Sequence, residues 1–246
     1  MIADLLLLVA AFGAGIMNAV AGGGSFLTFP ALVFTGVPSI IANASSTVAT
    51  FPGSFVSAWA YRKDFQPFEG VGMGPILVVS LIGSILGALL LLWTPQQTFD
   101  AAIPWLLGAA TLLFAVGKHV TPYLKRAFTI GPATLLSVQF VIAIYGGYFG
   151  GAIGILMLAL FALFGLDDIH RMNAMKTLLS GTLNAAAVVC FILAGKVWWY
   201  QTVIMFVGAI LGGVAGPAVA KRMKQSHLRL IIIAIGTGMT VAFAVR

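Results

Sequence analysis

The sequence predicts an all-α polytopic membrane protein built from two inverted repeats, and three observations lead to this fold class. Hydrophobic residues make up 61% of the 246-residue chain and charged residues 8%, whereas about a quarter of the residues in a soluble domain are charged. The apolar runs lack the alternation of barrel strands, so we expect helices. Motifs of the first half also return in the second half, as they do in many transporters.

The internal repeat is clearest in two stripes of polar residues. Four polar side chains recur with the same spacing, 130 positions apart: Asn43, Thr47, Thr50 and Ser54, then Asn173, Thr177, Ser180 and Asn184. The spacing i, i+4, i+7, i+11 places each set on one face of a helix. We therefore expect two related helices, each with a polar face inside apolar sequence.

Eight apolar segments follow one another along the chain: residues 5–36, 43–61, 72–93, 101–117, 132–164, 171–194, 198–219 and 228–244. Six of them have about 17 to 24 residues, the length that crosses a hydrocarbon core of about 30 Å. The first and the fifth are longer, and glycine clusters interrupt both near the middle. We expect each to consist of two half-helices, at residues 5–20 and 25–36 and at residues 132–147 and 152–164, joined by an irregular turn.

The basic residues indicate how these broken segments are arranged. If both cross the membrane, the basic residues divide almost evenly between the two sides. If both are re-entrant, eleven of the thirteen fall on one side and only Lys196 and Arg246 lie opposite, which the positive-inside rule favours. Each half then holds a re-entrant helix pair plus three transmembrane helices, so that the second half is inverted. Residues 1–118 form the first repeat, 119–131 a cytoplasmic linker and 132–246 the second repeat, with both termini outside.

Two glycine pairs have the G-x-x-x-G spacing that lets helices approach closely. Gly83 and Gly87 return as Gly208 and Gly212. We expect these pairs to pack helices within one monomer, and a dimer interface is the alternative.

The glycine clusters are the first candidates for a binding site. A broken helix exposes unpaired N–H groups and the positive end of its dipole at the start of its second half. These groups would bind a small anion at matching places in both halves. The residues concerned are Gly22, Gly23, Gly24 and Ser25, with Gly151 and Gly154 as their counterparts. The alternative is that the glycines only let helices pack.

The polar stripes are the second candidate, because polar side chains are costly in lipid and mark solute pathways. The residues that we expect to line such a pathway are Asn43, Thr47, Thr50, Asn173, Thr177 and Ser180. Helix–helix contacts are the alternative role for them. Lys176 is either the fixed positive charge of the pathway or a side chain that extends to the cytoplasmic surface.

Several functions are excluded or disfavoured. No Asp or Glu lies deep within a span, and the sequence contains no nucleotide-binding, hydrolase or metalloprotease motif, so we expect no enzyme, no catalytic residue, no metal site and no cofactor. The net charge of +7 is spread over short loops. It orients the chain in the membrane rather than indicating a nucleic-acid partner.

Four motifs resemble the sulfite exporter TauE/SafE family. They are A-G-G-G at 21–24, N-A-S-S-T at 43–47, G-x-x-G-G-x-x-G at 147–154 and N-A-x-K-T at 173–177. The resemblance extends over essentially the whole chain. It implies transport of sulfite or organosulfonates such as sulfoacetate across the bacterial inner membrane. By position it falls on both glycine turns and on Asn43, Thr47, Asn173, Lys176 and Thr177, although the second turn lacks the three consecutive glycines of the first.

These patterns together predict a secondary transporter of small anions, whose partners are the solute and the lipid bilayer. One repeat would move against the other around a site at mid-membrane, giving alternating access. A passive anion channel with the same glycine turns is the alternative, and a non-transport membrane scaffold is the third possibility.

Overall fold

The computed structural model describes residues 2–20, 22–66, 68, 70–127, 130–222 and 225–245. Within these ranges the chain forms ten α-helices and no β-strand. The helices are α1 (Ile2–Val20), α2 (Ser25–Phe34), α3 (Ser39–Ala60), α4 (Met73–Trp93), α5 (Gln96–Ala127), α6 (Pro132–Tyr148), α7 (Ile153–Leu163), α8 (Ile169–Leu193), α9 (Trp199–Arg222) and α10 (Gln225–Ala244).

Both predicted helix breaks are present, between α1 and α2 and between α6 and α7. The backbone of Gly22 is left-handed, with φ of 72°, and so is that of Gly150, with φ of 77°. Glycine adopts this conformation without the steric cost that a side chain imposes. Ala152 also has a positive φ of 59°, so the second turn carries backbone strain at a residue with a side chain.

Five helices in the described part of the chain are long and apolar enough to cross a membrane: α1, α4, α5, α8 and α9. The second halves of the broken segments are shorter, with 10 residues in α2 and 11 in α7. The chain is therefore an all-helical protein with several candidate spans.

One helix is longer than the hydropathy predicts. The apolar segment at residues 101–117 lies within α5, which continues to Ala127. Most of the predicted linker at 119–131 is thus helical. Its sequence is polar and contains Pro122, and for that reason hydropathy alone ends the segment too early.

The glycine pairs pack helices of this one chain against each other, which confirms the first of the two alternatives. A Cβ on Gly83 of α4 would lie 2.7 Å from the carbonyl oxygen of Phe140 in α6, and one on Gly208 of α9 would lie 2.6 Å from that of Leu8 in α1. Such close contacts require glycine. The two broken segments are thus each packed on a helix from the other half of the chain.

The remaining contacts place α3 and α8 side by side at the centre. Helix α3 also packs on α9, and helix α8 also packs on α4. Helix α5 packs on α10. The polar faces of α3 and α8 therefore meet near the two glycine turns.

Candidate functional site

A small cavity lies between the two glycine turns and the polar faces of α3 and α8. Its volume is about 30 Å³, which holds about two water molecules. The turns touch each other here, because a Cβ on Gly22 would lie 2.7 Å from the Cα of Gly154. The cavity thus collects residues from both halves of the chain.

Nine of the predicted site residues line this cavity. They are Gly22, Gly23, Ser25, Thr47, Thr50, Gly154, Lys176, Thr177 and Ser180. Four others are not among the lining residues: Gly24, Asn43, Gly151 and Asn173. A Cβ on Gly24 would lie 2.7 Å from the carbonyl oxygen of Ala14, and one on Gly151 would lie 2.7 Å from the ring of Phe149.

The first turn is closed by a side chain that the sequence reasoning did not select. Asn18 Oδ1 accepts hydrogen bonds from the N–H groups of Gly23, at 3.2 Å, and Gly24, at 2.8 Å. The Gly22 N–H donates to the carbonyl oxygen of Met17 at 2.9 Å. These three N–H groups, which were expected to bind an anion, thus already have acceptors within the protein.

Three other backbone N–H groups of cavity-lining residues have no acceptor among the described residues. They belong to Ser25, Ile153 and Gly154, at the first turns of α2 and α7. The first N–H groups of a helix have no partner within that helix and carry the positive end of its dipole. Each broken segment therefore has at least one unpaired N–H donor in a residue that lines the cavity.

The second turn is supported from the other half of the chain. Asn43 Nδ2 donates a 3.0 Å hydrogen bond to the carbonyl oxygen of Tyr148, the last residue of α6. Asn43 is 2% exposed. Its role in the structure is therefore to cap the end of a broken helix, not to face the cavity.

Lys176 is buried in the cavity wall, with 1% of its surface exposed. Its Nζ donates a 2.9 Å hydrogen bond to Asn173 Oδ1. The side chain therefore does not extend to the surface. An ammonium group has three N–H donors, and Asn173 is the single partner that the described residues give it. No carboxylate of the described residues lines the cavity.

Comparisons with known proteins give the family of the chain. The profile of the family described as "Sulfite exporter TauE/SafE" matches residues 7–243. The chain belongs to this family. It is 32% identical to "Probable membrane transporter protein ORF9" of Sinorhizobium sp, over 93% of this chain and 88% of the relative. It is 28% identical to "Probable membrane transporter protein YfcA" of Escherichia coli K12, over 98% and 90%.

A further relative, a "Probable membrane transporter protein" of Haemophilus influenzae, is 28% identical over 96% of this chain and 93% of its own length. No solved structure matches the chain. The resemblance that the motifs indicated is thus confirmed, and the protein is a multi-pass membrane transporter of the TauE/SafE family.

The threonine hydroxyls of this TauE/SafE transporter are turned towards their own helices. Thr47 Oγ1 donates to the carbonyl oxygen of Asn43 at 2.9 Å, Thr50 Oγ1 to that of Ser46 at 2.8 Å, and Thr177 Oγ1 to that of Asn173 at 2.8 Å. A hydroxyl has one hydrogen to donate, so these side chains offer the cavity only lone pairs. The donors that remain for a solute include Lys176, the unpaired N–H groups at the helix starts, the side-chain amides of Asn18 and Asn184, and the hydroxyls of Ser25 and Ser54, all of which belong to residues that line the cavity.

Five residues that line the cavity lie outside the predicted site: Asn18, Ser54, Gly150, Ile153 and Asn184. Ser54 and Asn184 are the last members of the two polar stripes, so extending each stripe by one position would have found them. Asp4 and Asn18 are the polar residues of the apolar helix α1, and matching α1 to α6 through the packed glycines Gly15 and Gly147 places Gly150 at the position of Asn18. The repeat therefore gave no signal for it.

Proposed function

We propose that this protein is a secondary transporter of small anions, with sulfite or a short organosulfonate as the solute, in the bacterial inner membrane. The observation that carries the proposal is the buried amine of Lys176 in a cavity to which the described residues contribute no carboxylate. A buried basic group is costly in a membrane protein unless it meets a partner, and such groups mark solute pathways. The partner that fits is an anion.

The donors and the size of the cavity support a compact oxyanion. Lys176 would supply a charge-assisted hydrogen bond, and the N–H groups of Ser25 and Gly154 would bind further oxygens at the positive ends of α2 and α7. A volume of about 30 Å³ suits sulfite better than an extended organic anion. The threonine hydroxyls offer only lone pairs, which do not bind the oxygen atoms of an anion as N–H donors do. This keeps binding weak enough for release.

We also propose that residues 1–118 and 132–246 are inverted repeats and that both broken segments are re-entrant. The packing of the two halves on each other supports this: α4 of the first half packs on α6 of the second in the way that α9 of the second half packs on α1 of the first. Equivalent elements touch each other only at a twofold axis, and the two turns touch at Gly22 and Gly154. In an inverted repeat this axis lies in the membrane plane, so the site would be at mid-membrane.

Cysteine labelling tests this topology. In a protein whose one cysteine, Cys190, has been replaced by serine, cysteines at residues 38 and 98 should react with an impermeant reagent from outside. Cysteines at 65, 120, 168 and 225 should react only from the cytoplasm. External labelling at 168 would show that the second broken segment crosses the membrane and is not re-entrant.

Flux measurements test the transport activity and separate a transporter from a channel. We expect the purified protein in liposomes to take up ³⁵S-sulfite with saturation and to accelerate counter-exchange, as alternating access requires. A channel would give unsaturated flux and an ohmic current. Thiosulfate, sulfate, sulfoacetate and acetate serve as competitors that define the solute class.

The matched pair of variants in this assay is Lys176→Met and Lys196→Met. The first removes the buried amine, whereas the second removes an exposed one. We expect Lys176→Met to lose uptake and Lys196→Met to retain it. Equal uptake by both variants would remove Lys176 from the pathway and contradict the proposed site.

A further inference from the structure

The part of the cavity wall that the structure describes has one ionisable group and no group that balances its charge. Among the described residues that line it, only Lys176 can carry a charge, and its hydrogen-bond partner Asn173 is a neutral amide. The argument that follows rests on the proposed function, because it treats this cavity as the place where the anion binds.

No balancing group faces Lys176 from the neighbouring helices. Helices α1, α3, α4, α6 and α7 pack against α8. Their described residues include one carboxylate, Asp4, and two phenols, Tyr145 and Tyr148. Asp4 lies fourteen residues before Asn18 on α1, which is about 21 Å along the helix from the cavity. Neither phenol lines the cavity.

The charged groups of α8 itself are also distant. His170 and Arg171 lie in its first turn, and Asp168 accepts hydrogen bonds from the backbone N–H groups of both. Lys176 follows Asp168 by eight residues, about 12 Å along the helix axis. The helix cap therefore does not supply a counter-charge at the cavity.

The charge of Lys176 is thus favourable only when an anion is present. A buried ammonium without a partner is strongly disfavoured, and lysine, unlike arginine, is able to lose its proton. The neutral amine still donates to Asn173 Oδ1, so the bond at 2.9 Å fits the empty site. When the anion arrives, the protonated amine forms an ion pair with it.

We propose that this transporter carries one proton with each monovalent anion, and that the Lys176 amine holds that proton. On loading, the lone pair of the amine takes up a proton from water and the ammonium pairs with the anion. On the other side the anion leaves, and the proton returns from the amine to water. Neither form that reorients carries a net charge at the site, so the transport cycle is electroneutral.

The same balance selects among solutes. A monovalent anion neutralises the ammonium, whereas a divalent anion leaves one uncompensated negative charge in a buried site. The solute class is therefore monovalent oxyanions. For sulfite the transported species is hydrogensulfite.

Uptake driven by separate gradients tests the proposal. The full-length protein in liposomes is given ³⁵S-sulfite below the second pKa of sulfurous acid, where hydrogensulfite predominates, and protein-free liposomes correct for leakage of sulfur dioxide. We expect an inward proton gradient to drive accumulation, and a potassium diffusion potential of either sign to have no effect. Accumulation that follows the potential and ignores the proton gradient would overturn the coupling and leave the proposed function intact. No uptake beyond that of protein-free liposomes would overturn the proposed function, and the coupling with it.

The variant Lys176→Arg gives a second readout, because a guanidinium group does not lose its proton in proteins. Its empty site would keep a buried charge and would not reorient. We expect anion exchange to persist in Lys176→Arg while net uptake falls about tenfold or more, and Lys196→Arg to resemble the unmodified protein. Net uptake in Lys176→Arg that still follows the proton gradient would overturn the role of Lys176.

Discussion

The two glycine turns have matching places in the two halves of the chain, but they are held in different ways. The first turn is closed from within its own half, because Asn18 Oδ1 accepts the N–H groups of Gly23 and Gly24. The second turn is supported from the other half, where Asn43 caps the carbonyl group of Tyr148. The repeat has thus preserved the break in each helix while the surroundings of the two breaks diverged.

The polar helices α3 and α8 also differ from each other. The first-half position that corresponds to Lys176 is Ser46, whose hydroxyl lies 2.6 Å from that of Thr28. One half therefore supplies a neutral, internally bonded wall and the other supplies the charge. The difference teaches that a site between related halves need not be shared equally, and the following variants test how unequal it is.

We expect the largest effect from Asn18→Asp. A carboxylate keeps the acceptor for Gly23 and Gly24 and strengthens both bonds, but it places a negative charge in the cavity. Like charges in one buried site cost about 3 kcal/mol or more, so affinity for sulfite should fall about 100-fold or more. Equilibrium binding in detergent measures the affinity, and thermal unfolding serves as the control for the intact turn. Unchanged sulfite affinity would place the anion away from Asn18.

Alanine variants of Gly22 and Gly150 separate two contributions to stability: the contact between the two turns and the left-handed backbone of each turn. Gly22→Ala introduces a Cβ with positive φ that would lie 2.7 Å from the Cα of Gly154, whereas Gly150→Ala has a positive φ and a nearest contact of 3.4 Å. We expect Gly22→Ala to lower the free energy of unfolding by about 2–3 kcal/mol and Gly150→Ala by about 1 kcal/mol. Thermal unfolding in detergent compares them. Equal losses would mean that the contact between the turns contributes nothing to stability.

The equivalent residues Asn43 and Asn173 should affect different properties: Asn43→Ala mainly the stability and Asn173→Ala mainly the affinity for sulfite. Asn43→Ala leaves the Tyr148 carbonyl without its side-chain donor, which should cost about 1–3 kcal/mol of stability. Asn173→Ala removes the acceptor of Lys176, so we expect a changed sulfite affinity with a smaller loss of stability. Unfolding and binding are measured on both proteins. Similar changes in both assays would show that the two residues play equivalent roles after all.

The smallest effect concerns the buried pair Gln139 and Ser80, where the Gln139 amide donates to Ser80 Oγ at 3.0 Å. In the matching contact, where Gly208 packs on Leu8 as Gly83 packs on Phe140, the corresponding residues are the buried apolar side chains of Leu7 and Met205. Gln139→Leu should therefore change stability by less than about 1 kcal/mol. Denaturant or thermal unfolding measures it, and a large loss would show that the hydrogen bond is needed to join α4 to α6.

The helix breaks could be predicted because their cause is local. Segments too long for one span and interrupted by glycines must break, and Gly22 and Gly150 adopt backbone angles that favour glycine. Helical spacing likewise placed Thr47, Thr50, Thr177 and Ser180 together on the cavity wall. Sequence periodicity determines which face of a helix a residue occupies, and this part of the site follows from it.

The partners of these residues could not be predicted, since they depend on how distant segments meet. Asn18 became a cap because the turn folds back onto α1. Asn43 bonds to Tyr148, which is 105 residues away, and nothing in the stripe distinguishes it from Thr47. The direction of Lys176 was likewise open, because spacing on a helix does not tell whether a long side chain points inward or along the helix to the surface.

Each broken segment packs on a helix of the other half of the chain, and this has a consequence for synthesis of the protein. Helix α1 leaves the ribosome long before α9, the helix that fits its glycine face, because α2 to α8 lie between them in the chain. Until then Gly15 and its neighbours have no partner in the bilayer, and contacts between distant segments form slowly. The N-terminal half is therefore exposed to misassembly and to proteolysis throughout elongation, and truncated chains that end before residue 199 should be degraded rather than accumulate as a stable half-transporter.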